Sequence, residues 1–302
     1  MTIDQDPPPP VIDSHHHLWD LSVRRLSWLD EEQIWADSAE MARLRHSFTL
    51  ADLEPLARAA GVTATVVVQT EISPAETPEL LTLAAGHELV AAVVGWVDLA
   101  GPGIADTVAA LRAAPGGGYL SGIRHPVLAE SDPDWLRRPE VLRGLVELAG
   151  SGLAYDVVCV QRQLPGALAA AEAVPGLTFV LDHLGNPEDD PPAGGPWASM
   201  MGQFAALPNT VCKLSGVLSG AYRDGDGQKL APLVRQYFEI MLDAFGPDRM
   251  MYGSDWPPCT LTSSYQQVMD AARELTAGLS PAERESIMSG TARRIYQLPD
   301  PG

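Results

Sequence analysis

Lysine is nearly missing from this chain. Only Lys213 and Lys229 stand among 20 basic residues, against 39 Asp and Glu, for a net charge of −19. So little positive charge argues against a nucleic-acid or anionic-membrane partner, since both are held by basic surfaces. Cysteine is almost as scarce. Cys159, Cys212 and Cys259 are far apart, odd in number and form no C-x-x-C pair, which excludes a disulfide framework and fits a reducing, cytoplasmic setting. No apolar run approaches the roughly 20 residues a membrane helix needs. The start, Met1 to Pro10, is acidic and proline-rich with no basic stretch, so it reads as a disordered leader and not a signal peptide. No glycine-rich phosphate fingerprint follows the first apolar segment, which disfavours a dinucleotide-binding sheet.

What is present is a core. The 302 residues are 46% hydrophobic, enough for one large domain. Short apolar, β-branched runs alternate with helical stretches along the whole length. Strands are predicted at 11–17, 65–69, 89–97, 120–123, 154–160, 177–181, 210–214 and 249–252. Helices are predicted at 49–60, where Thr49 caps and Gly61 closes, and at 77–85, 105–114, 139–149, 163–173, 197–206 and 230–245, with a final pair at 263–277 and 280–296. Apolar strands alternating with amphipathic helices imply a parallel sheet, and eight such units in this length favour a single closed (β/α)8 barrel over residues 1–302. The segment 21–50 lacks strand character and carries Trp28 and Trp35, so it is expected to be a packed lid. Asn186 to Gly195 reads as a long loop and not a domain boundary.

The polar residues fall at strand ends, which meet at one mouth in such a barrel. His15 and His17 close the first strand, Gln69 the second, Asp98 the third and Arg124 the fourth. Asp156 lies in the fifth, His183 ends the sixth, Lys213 lies in the seventh and Asp255 follows the eighth. Strand alternation places Asp13, His15 and His17 on one face and His16 on the other. The same alternation groups Phe179, Leu181 and His183, and Met251, Gly253 and Asp255. A slip of one residue substitutes Asp182 or Ser254. Two imidazoles two residues apart at a strand end can chelate a divalent ion or hold an anionic group. Trp19 and Trp256 are expected as pocket walls, His46 and His87 at the surface, and Asp98 as a turn cap. His125 is left between lining and structure.

The segments Asp13-Ser14-His15-His16-His17-Leu18-Trp19, Gly122-Ile123-Arg124-His125, Leu181-Asp182-His183-Leu184-Gly185, Cys212-Lys213-Leu214-Ser215-Gly216 and Gly253-Ser254-Asp255-Trp256-Pro257 resemble, in this order, the amidohydrolase superfamily. The likeness is greatest to its lactonase-type branch of sugar lactonases and pyrone-dicarboxylate lactonases. That resemblance implies a hydrolase that opens a small lactone to a hydroxy acid. It puts His15, His17, His183 and Asp255 at the metal positions, with Asp255 as general base. Arg124, Lys213, Gln69, Asp156, Trp19 and Trp256 are the expected substrate-binding residues. Strand five offers Asp156 and no histidine, so one Zn²⁺ or none both fit the ligand set, and no organic cofactor is implied. A metal-dependent decarboxylase of the same superfamily is the alternative reading, and a catalytically silent binding barrel is the second.

Overall fold

The computed structural model describes residues 10–33, 36–187, 195–220 and 232–299. The expected leader, Trp35, most of the 186–195 loop, Arg223 and Lys229 lie outside them.

The strands are β1 (Val11–His16), β2 (Val62–Val68), β3 (Val90–Gly95), β4 (Leu120–Pro126), β5 (Ala154–Val158), β6 (Phe179–Leu181), β7 (Thr210–Leu214) and β8 (Met250–Tyr252). They pair in parallel, in sequence order, within one sheet. The two edges then meet: His17 N–H donates to the Trp256 carbonyl at 2.7 Å and Asp255 N–H to the His15 carbonyl at 2.8 Å. This is the (β/α)8 barrel that the alternation predicts, and it explains the composition of the strands. Both faces are covered, so each strand reads as a nearly continuous apolar run. Ile12, Val66, Val68, Val94, Val180 and Met251 fill the interior together with Tyr296 and Leu298. The other parity packs outward against the helices, as Val67, Val93, Phe179, Cys212 and Tyr252 do.

The helices are α1 (Ser38–Ala42), α2 (Leu50–Ala59), α3 (Glu76–Ala85), α4 (Ile104–Ala113), α5 (Pro139–Ala149), α6 (Leu164–Ala173), α7 (Pro196–Ala206), α8 (Pro232–Phe245), α9 (Tyr265–Thr276), α10 (Pro281–Glu285) and α11 (Thr291–Tyr296). The last predicted helix, 280–296, is divided: a π-helical turn at Ser286–Gly290 separates α10 from α11. Thr49 is the N-cap of α2, and its N–H and hydroxyl both donate to Asp52 Oδ2, at 2.8 and 2.7 Å.

Residues 21–50 are built around α1 and a 3₁₀ turn, Ser27–Asp30. Leu26, Leu29, Met41 and Leu44 are buried there. The ends are zipped by Trp19 and Phe48, which exchange backbone hydrogen bonds of 2.9 and 2.8 Å. The Arg43 guanidinium donates to the carbonyls of Leu261 and Thr260, at 2.7 and 2.9 Å, and so ties the segment to the chain after β8.

Two face assignments made from strict alternation are corrected by the structure. Asp13 does not share a face with His15 and His17. The β1–β2 register shifts between Asp13 and His16. Asp13 points outward, where Tyr265 of α9 donates to it at 2.8 Å, and the extra residue turns His15 and His17 inward. His16 does face away, with its Nε2 3.0 Å from the Thr65 hydroxyl. In β6, Phe179 and Leu181 pack outward while Val180 lines the interior. Asp182 is therefore the inward residue in phase, and His183 reaches the site through a left-handed backbone, φ 55°. Asp255 also sits at positive φ, 58°. Such conformations cost a non-glycine residue about 1–3 kcal/mol and cluster at functional sites.

Candidate active site

Each site residue is set by a local device. The bulge in β1 brings His15 and His17 side by side, with Nε2 atoms 3.2 Å apart. This close packing needs the missing side chain of Gly253, because a Cβ there would stand 2.7 Å from that of His15. His183 is seated the same way against Gly216, whose φ is +66° and whose Cβ would lie 2.8 Å from the His183 Cβ. His17 Nδ1 lies 2.8 Å from the Val68 carbonyl, an acceptor only. Nδ1 therefore carries the hydrogen, and Nε2 presents a lone pair to the site. His183 Nδ1 meets the Ser215 hydroxyl at 2.9 Å. Asp255 Oδ1 stands 3.8 Å from the Nε2 of both His15 and His17.

The Asp255 side chain is 14% exposed, whereas those of His15, Asp182, Asp156 and Lys213 are 0% exposed. Below the histidines, Lys213 Nζ lies 2.5 Å from Asp156 Oδ2, 3.1 Å from Asp182 Oδ1 and 3.0 Å from His15 Nδ1. Tyr296 donates to Asp156 at 2.8 Å. Asp182 Oδ2 also lies 3.4 Å from Arg124 Nη1. Arg124 in turn is clamped by Gln69: its Nη2 donates to the Gln69 carbonyl at 2.5 Å and to Oε1 at 3.1 Å. Its Nε is buried and makes no hydrogen bond among the described residues.

Burial controls the ionisation of these groups. It pushes His15 and His17 well below the ordinary histidine range, helped by Lys213 beside the first and Arg124 beside the second. Burial also raises the Asp255 carboxyl, with His183 and Arg124 pulling the other way. A carboxylate so placed holds a proton better than one in water, which is what a base needs. For Asp182 burial is outweighed by Lys213 and His15, which hold it well below the usual carboxylate value. Asp156, with the same lysine to share, is pushed up to about 6 by burial.

His15, His17, Asp255, His183 and Arg124 thus converge, as expected. Lys213, Asp156 and Gln69, expected to touch substrate, lie in a buried layer that supports those five. Trp256 is buried against Phe48, with ring centroids 5.3 Å apart. Trp19 lines a cavity of about 330 Å³ with Leu18, Arg24, Phe48, Leu80 and Leu83, and none of His15, His17, His183, Arg124 and Asp255 lines it. His46 and His87 are exposed, and Asp98 accepts from Ala100 N–H as a turn cap. His125 is structural: it stacks on Trp135 at 4.1 Å, between Glu130 and the Trp96 indole N–H. The residues that sequence reasoning missed are Asp182, left as a register alternative, and Ser215. Reading the β6 alternation from Val180 would have found the first.

The histidine and aspartate atoms suit a divalent ion. Tetrahedral zinc holds its ligands about 2.0–2.2 Å away, which separates them by about 3.4 Å. The His15, His17 and Asp255 atoms are 3.2, 3.8 and 3.8 Å apart. His183 falls in a different cluster, with His15 and Asp182.

A family model described as Amidohydrolase matches residues 12–298. The chain is 37% identical over 298 residues to an L-fucono-1,5-lactonase of Burkholderia multivorans, covering 96% of this chain and 97% of that protein. An amidohydrolase crystal structure from the same species, described as having bound Zn, superposes with a TM-score of 0.82 at 34% identity, over 96% of this chain and all of that one. A 5-carboxyvanillate decarboxylase of Sphingomonas paucimobilis superposes with a TM-score of 0.65 at 12% identity, over 96% of this chain and all of that one. At that identity the likeness concerns the fold alone.

Proposed function

The chain belongs to the amidohydrolase family, and from that premise we propose that Asp255 and its histidine neighbours open a sugar lactone to the hydroxy acid. The chain is a hydrolase of cyclic esters, as its lactonase relatives are. The observation that carries the residue roles is the placement of Asp255. It is a partly open carboxylate, with a raised proton affinity, 3.8 Å from two imidazoles and near the Arg124 guanidinium.

The step follows from those positions. Asp255 accepts a proton from water as the water oxygen bonds to the lactone carbonyl carbon. The carbonyl oxygen becomes an oxyanion, for which Arg124 and His183 are the nearby donors. Collapse breaks the bond from carbonyl carbon to ring oxygen, and the proton on Asp255 passes to that oxygen. Water is consumed and one hydroxy acid forms. A divalent ion held by His15, His17 and Asp255 would add Lewis-acid polarisation of the carbonyl, and the Burkholderia relative is described with bound Zn.

Arg24, which could have reached the mouth, is paired with Glu71 and Glu79, and Arg25 with Asp30, so neither is a free cation for a carboxylated lactone. The sugar-lactonase relatives favour a neutral sugar lactone. The segment 21–50, which Arg43 ties to the chain after β8, is read as the lid of this one-barrel enzyme.

Proton release in weak buffer, with L-fucono-1,5-lactone beside pyrone-type and aromatic lactones, tests the reading. The sugar lactone is expected to turn over fastest, and Asp255→Asn to lose about 10²–10⁴-fold in kcat with its thermal midpoint kept. Wild-type turnover in that variant removes Asp255 from the chemistry. Release of CO2 from an aromatic acid without lactone turnover would favour the decarboxylase.

A further inference from the structure

Lys213 is the most deeply placed cation of the molecule's centre, and the hydrolytic step does not use it. Its ammonium is a donor only. It approaches His15 Nδ1 at 3.0 Å, and toward this donor Nδ1 offers a lone pair, which puts the His15 ring hydrogen on Nε2. That hydrogen has an acceptor. His17 is fixed by the Val68 carbonyl with its own lone pair on Nε2, 3.2 Å away. A continuous chain results, from Lys213 through His15 and His17 to Val68.

The opposite arrangement is also built into the site. Asp182 Oδ1 lies 3.3 Å from His15 Nδ1, and Arg124 Nη1 lies 3.4 Å from His15 Nε2. These would serve a ring with its hydrogen on Nδ1. They are the longer contacts, and Arg124 Nη1 has a second acceptor in Asp182 Oδ2 at 3.4 Å. With the hydrogen on Nδ1, two lone pairs would face each other across 3.2 Å between His15 and His17, relieved only from the side by Arg124 Nη1 at 3.4 Å or by a cation between them.

We propose that Lys213 is a positioning residue that keeps the His15 hydrogen on Nε2, between the two imidazoles, and so sets the His15, His17 and Asp255 trio against a divalent cation. A metal can enter only when His15 reverses its tautomer and turns Nδ1–H toward Asp182. That is the carboxylate–histidine pairing that strengthens metal ligation, and Lys213 competes with it at both atoms. The same ammonium lies against two members of the cluster of His15, Asp182 and His183, 3.0 Å from His15 Nδ1 and 3.1 Å from Asp182 Oδ1, and so opposes a second ion there. The inference concerns metal occupancy and holds whichever ester the site opens.

The test reads tautomers and zinc affinity, not turnover. Metal-stripped full-length protein carrying ¹⁵N-histidine is examined by long-range ¹H–¹⁵N NMR, with signals assigned from His15→Gln and His17→Gln. His15 is expected as the Nε2–H form and His17 as the Nδ1–H form, and added Zn²⁺ should convert His15 to Nδ1–H while leaving His17 unchanged. Lys213→Met, titrated with Zn²⁺ against a chromophoric chelator, should bind zinc about tenfold more tightly or better, the scale seen when a ligand's hydrogen-bond partner is altered. A metal-free His15 in the Nδ1–H form overturns the proposal. So does a folded Lys213→Met whose zinc affinity is unchanged or weaker. If that variant does not fold, the tautomer measurement on the unsubstituted chain decides.

Discussion

His16 has no role at the mouth and yet carries weight. It is fully buried, it meets Thr65, and burial brings its pKa from the ordinary 6.5 down to about 4. Folding therefore prefers the neutral ring. The resulting stability is complete above pH 6.5 and is lost as the pH falls from there towards 4, because the unfolded chain takes up the proton first. By pH 5 the loss from this one residue is about 2 kcal/mol, from 1.36 kcal/mol per unit. Urea unfolding between pH 7.5 and 5 should show His16→Gln with a shallower acid decline than wild type, and with kcat on the lactone largely kept. An equal slope in the two proteins would mean that His16 does not stay neutral in the fold. A kcat loss as deep as that of Asp255→Asn would put it in the chemistry.

At the scale of elements, the bulge in β1 is the device on which the site depends. Asp13 holds it from three sides: it accepts from His15 N–H at 3.2 Å, from Ser254 N–H at 2.8 Å and from the Tyr265 hydroxyl of α9 at 2.8 Å. One carboxyl thus joins β1, the end of β8 and a helix of the outer layer. Tyr265→Phe removes one buried hydrogen bond to this acceptor and should lower the unfolding free energy by about 1.5–3 kcal/mol. The two backbone contacts persist, so KM and kcat should change little. Chemical denaturation with parallel kinetics checks both. A variant as stable as wild type would show that the link bears no load.

For the whole molecule the dominant fact is charge. A net −19 spread over one barrel means that folding concentrates like charges, and that repulsion weakens the compact state. Screening shortens its range to about 10 Å at 0.1 M salt. The thermal midpoint should therefore rise by a few degrees between about 10 and 200 mM NaCl in scanning calorimetry. The buried Lys213, Asp156, Asp182 and Arg124 network is shielded from solvent ions and should contribute little to that trend. A midpoint that falls with salt would mean that surface pairs such as Arg24–Glu79 and Arg25–Asp30 outweigh the repulsion.

Much of this was legible in the linear chain, for a simple reason. A strand buried on both faces must be apolar throughout, so the eight runs stand out. Polar residues that interrupt them stand where the strand ends at the mouth or, as Asp13 and Thr65 do, where a buried partner meets them. Barrel, strand order, the two histidines, Arg124, His183 and Asp255 all follow from that. Depth does not. Gln69, Asp156 and Lys213 have the same signature as Arg124, and only the packed structure puts the first three in the supporting layer. Facing fails for a related reason. Alternation holds while φ and ψ stay extended, and the chain departs from it at Asp13–His16, His183 and Asp255. The partners that hold those departures lie far along the sequence: Asp13 meets groups 241 and 252 residues away, and His15 meets Lys213 198 residues on. A periodic pattern is local and fixes which segments are strands. Which side chain enters the site is set by contacts that exist only once the barrel has closed.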